Sequence, residues 1–190
     1  MARTLVFTVA RTALAVVASL LAVSTVQAQP RASKLEPVQQ FDVERYLGQW
    51  YELGRYPNRF QKKCTGDVVA AYARRADGLL EVKNSCSTAK GPVVAVCVAR
   101  QADPQGPPSV LQVRFAPAWL SFLPVWGDYW VIDLAPDYTT AVVGTPSRDY
   151  LWILSRTWHV DLPTWARLVE AARRQGYDVS RIERTPQSER

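Results

Sequence analysis

The sequence has few of the residues that enzymes and metalloproteins commonly use for chemistry. It contains one histidine, His159, and three cysteines. The cysteines lack CxxC spacing and a histidine partner, so no metal site is expected. The chain also lacks a Ser/His/Asp set, a glycine-rich phosphate loop and a credible carboxylate pair. These absences argue against an enzyme and give no reason to expect a cofactor.

Concentrated charge is absent too. The net charge of +6 comes from 23 basic and 17 acidic residues that are scattered along the chain. No basic block is interleaved with aromatic residues, so a nucleic-acid partner is not expected. The mild positive excess is typical of a solvated surface or of attraction to an anionic membrane or headgroup.

The most apolar run lies at the N-terminus. Arg3 and Arg11 flank the charged start, an apolar stretch runs from Thr12 to Val26, and Val26-Gln27-Ala28 resembles a signal-peptidase site. Residues 1–28 are therefore predicted to be a signal peptide that exports the protein to the periplasm. A membrane anchor is the alternative, but this run is shorter than the roughly 20 apolar residues that span a bilayer. No cysteine lies at the cleavage site, so a lipoprotein anchor is not supported, whereas association with the outer membrane stays open.

The remaining chain is predicted to form one all-β domain. From Trp50 onward, short runs rich in Val, Tyr, Trp and Phe alternate with turn residues such as Asp77-Gly78. This spacing is typical of a sandwich or barrel, and short connections favour up-and-down antiparallel order. The eight predicted strands are 50–56, 66–74, 79–87, 93–101, 109–116, 128–134, 139–145 and 150–156.

The period changes once, near the C-terminus. Apolar residues recur at helical spacing from Trp165 to Ala172, which predicts an amphipathic helix over about 161–176. Asp161 is suited to cap it and Gly176 to end it. This helix most simply packs outside the barrel, and a membrane-surface helix is the alternative.

The two segments that flank the predicted domain, 41–183, and the last residues of that domain carry weaker signals. Residues 29–40 are predicted to be an extended lead-in on the outside of the domain. Residues 177–183 are compatible with a short edge strand. Residues 184–190 are predicted to be a disordered tail.

Two signatures frame the strands, Gly48-Gln49-Trp50-Tyr51-Glu52 and Tyr150-Leu151-Trp152-Ile153-Leu154-Ser155-Arg156. Gly48 permits a tight turn, and Trp50 can plug the narrow end of a barrel. The guanidinium of Arg156 can stack on that indole, a contact worth about 0.5–2 kcal/mol. The two signatures meet only if the sheet closes, so their role is expected to be structural.

These motifs resemble the lipocalin family, specifically its bacterial outer-membrane branch, which is similar to apolipoprotein D. Tyr46 to Glu52 resembles the first family signature, Asp137-Tyr138 the second, and Trp152 to Arg156 the third. The resemblance covers about residues 41–180. It implies an eight-stranded up-and-down barrel with a C-terminal helix outside it, and a ligand cavity within.

Period two places Trp152 and Leu154 inside the barrel if Trp50 and Arg156 face inward. The resemblance supplies the phase for the other strands. It implies that the ligand is also contacted by Tyr72, Asn84, Leu111, Val113, Phe115, Tyr129 and Val131. Such a lining suits a long acyl chain or another hydrophobe. The alternative is that these residues fill a solid core.

The resemblance also implies a Cys64–Cys86 disulfide, with Cys86–Cys97 as the alternative. Cys97 departs from the family pattern, in which glycine is more usual. A few lipocalin-like proteins are enzymes, so a second hypothesis makes Cys97 a nucleophilic thiol in the pocket. The chain offers no evident base to activate it.

An uncharged aromatic loop is predicted over Phe115–Trp126. An exposed apolar loop marks a partner, a ligand mouth or a membrane, and Trp119 and Trp126 are suited to a bilayer interface. The alternative is that the loop is buried under the helix.

The sequence therefore predicts a protein that binds and transports or stores a small hydrophobic ligand, such as a fatty acid or lysophospholipid, in the bacterial envelope. The resemblance suggests membrane maintenance under stress as the setting. A filled barrel that serves as an interaction scaffold is the remaining alternative.

Overall fold

The computed structural model describes residues 34–114 and 125–189, so the predicted signal peptide, Phe115 and Trp119 lie outside the described residues. Eight of the nine described strands follow the predicted order. They are β1 (Gly48–Arg55), β2 (Cys64–Arg74), β3 (Leu80–Thr88), β4 (Val93–Gln101), β5 (Val110–Arg114), β6 (Gly127–Leu134), β7 (Thr140–Gly144) and β8 (Leu151–Ser155).

Each strand pairs antiparallel with the next, and the sheet closes on itself. Tyr51 of β1 pairs with Val69 of β2 on one side and with Ser155 of β8 on the other. The predicted eight-stranded up-and-down barrel is therefore confirmed. Closure satisfies backbone groups that an open sheet would leave at its edges.

The predicted helix also forms and packs outside the barrel. Helix α2 spans Leu162–Arg174, and the Asp161 carboxylate accepts a hydrogen bond from the Thr164 amide at 2.9 Å. Gly176 follows the helix with φ +82°, a conformation that favours glycine. The helix buries Leu168 and Ala172 in an outer core against β1, β6, β7 and β8. No helix in the described ranges is long and apolar enough to cross a bilayer.

Two small elements were not predicted. A four-residue helix, α1 (Val43–Tyr46), precedes β1, and its N-terminus is capped by Asp42. A single 3-10 turn, Val179–Arg181, occupies much of the predicted edge-strand region. The strand at that point, β9 (Glu183–Arg184), begins only at the last residue of the region and pairs with Gly54 and Arg55 of β1.

The prediction of a disordered tail is wrong for residues 184–189. The Thr185 amide donates to the Leu53 carbonyl at 3.0 Å, and the Asp67 amide donates to the Pro186 carbonyl at 2.8 Å. Gln187 donates to the carbonyls of Glu52 and Val68. The reason is that β1 and β2 stop pairing beyond Tyr51 and Val69. The tail fills this seam and satisfies backbone groups that would be costly to bury unpaired.

The described part of the lead-in, residues 34–40, lies against the outside of the barrel. Leu35 is buried in the outer core beside α2. The Val38 amide donates to the Val131 carbonyl at 2.9 Å, which holds residues 34–40 against the barrel.

Candidate ligand-binding site

One end of the barrel is sealed by the two framing signatures; we call this the closed end. The indole of Trp50 is fully buried and donates to the Tyr46 carbonyl at 2.8 Å. The Arg156 guanidinium carbon lies 3.9 Å from the centroid of that ring. Arg156 also donates to the carbonyls of Gln49 and Arg45, each at 2.8 Å. Its partial burial lowers the pKa of Arg156. These contacts fit a structural seal.

The second signature lies against the same seal. Tyr138 has φ +62°, and its carbonyl accepts from Arg156 Nε at 3.3 Å. Its phenol oxygen accepts from the Asp42 amide at 2.7 Å. The Asp137 carboxylate accepts from the Thr139 hydroxyl and amide, which lowers the pKa of Asp137. Gly48, with φ +89°, lets β1 begin directly beside Arg156.

Beyond the closed end the barrel contains a cavity of about 310 Å³. It lies between the inner faces of β2, β3 and β4 on one side and β8 on the other. Six of the residues that sequence and resemblance implied line it: Tyr72, Asn84, Val113, Tyr129, Trp152 and Leu154. Its volume is at the lower end of the range of small-molecule sites.

Three of the implied residues are not placed in this lining. Leu111 and Val131 are buried in the inner core but do not line the cavity. They belong to the same inner core as Tyr46 and Trp50, which do not line the cavity either. Phe115 is outside the described residues.

Glu52 and Gln61 line the cavity but were missed by the sequence reasoning. Glu52 is 3% exposed, and its carboxylate accepts from Arg55 at 2.7 Å and from the Thr185 hydroxyl at 2.6 Å. Gln61 donates to Glu52 at 2.5 Å and accepts from the Trp152 indole at 3.0 Å. Glu52 lies two residues after Trp50, so strand alternation could have found it. Gln61 is in a loop and carries no periodic signal.

Aromatic rings form one side of the site from its mouth inward. Phe60 lies 5.8 Å from Tyr150, and Tyr150 stacks on Trp152 at 5.8 Å with ring planes 8° apart. Trp152 in turn stacks on Tyr129 at 6.4 Å. Phe60, in the β1–β2 connection, is 49% exposed, so the cavity reaches the surface there. We call this the open end.

Two tyrosines at the floor of the cavity, Tyr72 and Tyr129, are joined through their hydroxyls to Tyr46, which does not line the cavity. The hydroxyl of Tyr129 lies 2.9 Å from that of Tyr46 and 2.7 Å from that of Tyr72. All three are buried, and burial raises the pKa of each phenol, so all three are neutral at ordinary pH.

The cysteines divide as the resemblance implied. Cys64 and Cys86 form a disulfide, which confirms that pairing over Cys86–Cys97, and it ties the start of β2 to β3 near the open end. Cys97 is a free, buried thiol in the cavity wall. Asn84 Nδ2 lies 3.6 Å from its sulfur, and burial raises the pKa of the Cys97 thiol to about 12. Within residues 34–114 and 125–189 there is no cluster of His, Cys, Asp or Glu suited to hold a metal ion.

The comparisons with known proteins agree with this architecture. The family model of the lipocalin-like domain matches residues 41–187. The chain is 44% identical over 158 residues to temperature-induced lipocalin-1 of Arabidopsis thaliana, a match that covers 82% of this chain and 84% of that protein. It is 37% identical over 145 residues to the outer membrane lipoprotein Blc of Escherichia coli K12, covering 76% and 78%.

Among solved structures, insecticyanin from the tobacco hornworm Manduca sexta superposes with a TM-score of 0.67 at 17% identity, covering 84% of this chain and 87% of that one. At that identity the likeness concerns the fold alone. The domain match, which covers residues 41–187, and the two relatives at 44% and 37% identity go further: this chain belongs to the lipocalin family.

Proposed function

We propose that this protein binds a small hydrophobic ligand, such as a fatty acid or lysophospholipid, and carries or stores it in the bacterial cell envelope. The observation that carries the proposal is the cavity between the closed end and Phe60, with its aromatic wall. Lipocalins generally bind small hydrophobic ligands, and the relative Blc is named an outer membrane lipoprotein. Membrane maintenance under stress is the setting we propose for this binding.

The lining supports an apolar ligand because burial of apolar surface is its main source of affinity, about 25 cal/mol per Å². Val82, Val113 and Leu154 supply aliphatic surface, and Trp152 supplies a flat ring. The Glu52 carboxylate already accepts hydrogen bonds from Arg55, Thr185 and Gln61, so no cationic ligand is needed to pair with it.

Two adjacent alanines of β2 give a matched test of this proposal. Ala70 lines the cavity, whereas the side chain of Ala71 points to the opposite face of the strand. We expect Ala70→Phe to weaken the binding of a fluorescent fatty acid by at least ten-fold. Ala71→Phe should leave the affinity for this probe nearly unchanged. Mass spectrometry of an organic extract should find lipid with wild type and little with Ala70→Phe. Wild-type protein that neither carries lipid nor binds the probe would refute the proposal.

Binding is favoured over the alternative in which Cys97 acts as a nucleophile. A thiol is activated by a base or a cationic neighbour that lowers its pKa. Burial instead raises the pKa of Cys97, and the neighbour at its sulfur is the neutral amide of Asn84. We expect Cys97→Ser to retain co-purified lipid. Release of a modified lipid by wild type, lost in Cys97→Ser with binding intact, would favour the enzyme.

We also propose that the open end of the exported protein contacts a membrane surface, where the ligand is exchanged. Trp119 and Trp126 remain the proposed contacts; Trp126 lies under the guanidiniums of Arg100 and Arg114, at 4.1 and 4.9 Å. Val125 beside it is 67% exposed. In the β1–β2 connection, Lys62 and Lys63 flank the same mouth, and lysines of this kind favour anionic headgroups.

Vesicle sedimentation tests this contact. We expect wild type to bind vesicles that contain phosphatidylglycerol more than pure phosphatidylcholine, and Trp126→Ala with Lys62→Ala and Lys63→Ala to lose that preference. Equal binding of wild type to both vesicles would contradict the proposal while leaving ligand binding intact.

A further inference from the structure

The hydroxyls of three buried tyrosines supply one more hydrogen-bond donor than the contacts among them use. Their hydroxyl oxygens form a row, Tyr46–Tyr129–Tyr72, joined by contacts of 2.9 and 2.7 Å. Three O–H groups supply three hydrogens, but the row contains only two hydrogen bonds. These hydroxyls have no other hydrogen-bond partner within the described residues. One O–H therefore remains without an acceptor among residues 34–114 and 125–189.

The position of this spare donor follows from the burial of the two ends. Tyr46 is fully buried, packs against Trp50 at 4.7 Å and Phe41 at 5.0 Å, and does not line the cavity. An unsatisfied O–H there would be costly, because no water or ligand reaches it. Tyr46 is thus expected to donate to Tyr129. The spare hydrogen then belongs to Tyr129 or Tyr72, both of which line the cavity.

We infer that this hydroxyl row is a polar subsite. Its spare O–H donates a hydrogen bond to one neutral oxygen, a hydroxyl or carbonyl, at the deep end of an otherwise apolar ligand. The inference rests on the proposed function and narrows its ligand class. Tyr72 is 4% exposed and Tyr129 is 8% exposed, so an oxygen bound there is shielded from water.

The charge of the surroundings excludes an anion from this position. None of the described residues that line the cavity is basic, and the acidic residue among them, Glu52, is already paired with Arg55. Arg156 lies over Trp50 and donates to three backbone carbonyls instead. A carboxylate at the floor would be a buried charge without a cationic hydrogen-bond partner in the described cavity lining. A fatty acid is therefore expected to bind with its carboxylate at the open end, near Lys62 and Lys63, leaving the floor donor unused.

The test compares 1-dodecanol, dodecane and dodecanoate as competitors of one fluorescent probe, on wild type and variants. We expect Tyr72→Phe with Tyr129→Phe to weaken dodecanol binding about five-fold or more, since a hydrogen bond contributes about 1 kcal/mol net. Dodecane and dodecanoate should change less than two-fold. Tyr72→Phe alone should retain most of the dodecanol affinity, because the hydrogen of Tyr129 still faces the cavity. Tyr51→Phe, on the outer face of β1, is the matched control.

A second measurement does not depend on the double variant folding. The infrared carbonyl stretch of 2-dodecanone bound to wild type should lie below its value in dodecane, as hydrogen bonding requires. An unshifted stretch, or dodecanol affinity that is unchanged in the double variant, would overturn the inference while the proposed function stands. An equal loss for dodecanoate would overturn the restriction to neutral oxygens. Failure of all three competitors to bind wild type would instead refute the proposed function.

Discussion

Replacement of Arg156 by alanine should strongly lower the free energy of unfolding but leave the affinity for ligand nearly unchanged. The guanidinium stacks on Trp50 at 3.9 Å, a contact worth about 0.5–2 kcal/mol. It also donates to the carbonyls of Gln49, Arg45 and Tyr138. Because Arg156 is partly exposed, water can replace some of these bonds. We therefore expect a loss of about 3–5 kcal/mol in the free energy of unfolding, a large part of a typical total of 5–15 kcal/mol.

Arg184 provides a control with the same ring contact but without the carbonyl bonds. Its guanidinium lies 3.7 Å from the Trp165 ring on the exposed surface. Arg184→Ala should cost about 1 kcal/mol or less. Urea unfolding followed by tryptophan fluorescence measures both losses under the same conditions.

The affinity for a fluorescent fatty acid separates the structural role of Arg156 from a ligand role. Arg156 does not line the cavity, so the folded Arg156→Ala protein should bind the probe within about two-fold of wild type. If Arg156→Ala is no more destabilising than Arg184→Ala, the account of the closed end is wrong. If Arg156→Ala lowers the affinity for the probe while its unfolding free energy equals that of wild type, Arg156 has a ligand-binding role.

Three further changes test the packing, the tail and the free thiol. Gly144→Ala should lower the unfolding free energy by about 2–4 kcal/mol in urea, because an added Cβ would clash with the Tyr177 hydroxyl; a loss below 1 kcal/mol would refute this. Removal of residues 185–190 should cost a similar amount in the same assay, since it uncovers the seam between β1 and β2, and an unchanged midpoint would argue against that seam. Burial raises the pKa of Cys97 to about 12, so the folded protein keeps a proton that the unfolded thiol releases above about pH 8.5. Stability should therefore fall as pH rises from about 9, by up to about 1.4 kcal/mol per pH unit, and Cys97→Ala should reduce that slope.

The strands and α2 were predictable because their signals are local. Alternation and turn residues marked β4 at its observed bounds, Val93–Gln101, and helical spacing with Asp161 and Gly176 marked α2. The C-terminal tail was not predictable in this way. Its hydrogen bonds to Leu53 and Asp67 depend on a gap between β1 and β2 that exists only in the closed barrel.

The site was predictable in part for the same reason. The two-residue alternation of strands, with its phase taken from the family resemblance, was enough to predict that Trp152 and Tyr129 face the cavity. It could not separate them from Val131, which is buried in the same inner core but does not line the cavity. That distinction depends on depth along the barrel, and a two-residue period carries no information about depth.

By itself, the sequence determined the order of the strands, the external helix, the sealing pair Trp50 and Arg156, and the family. These features are encoded by residue spacing within a few positions or by short motifs. Only the tertiary structure decided which inward residues border empty space and which hydroxyls meet. Tyr129 is 83 residues from Tyr46 and 57 from Tyr72, and their contact depends on the strand register and curvature of the whole barrel. The spare hydroxyl at the cavity floor is a consequence of that closure.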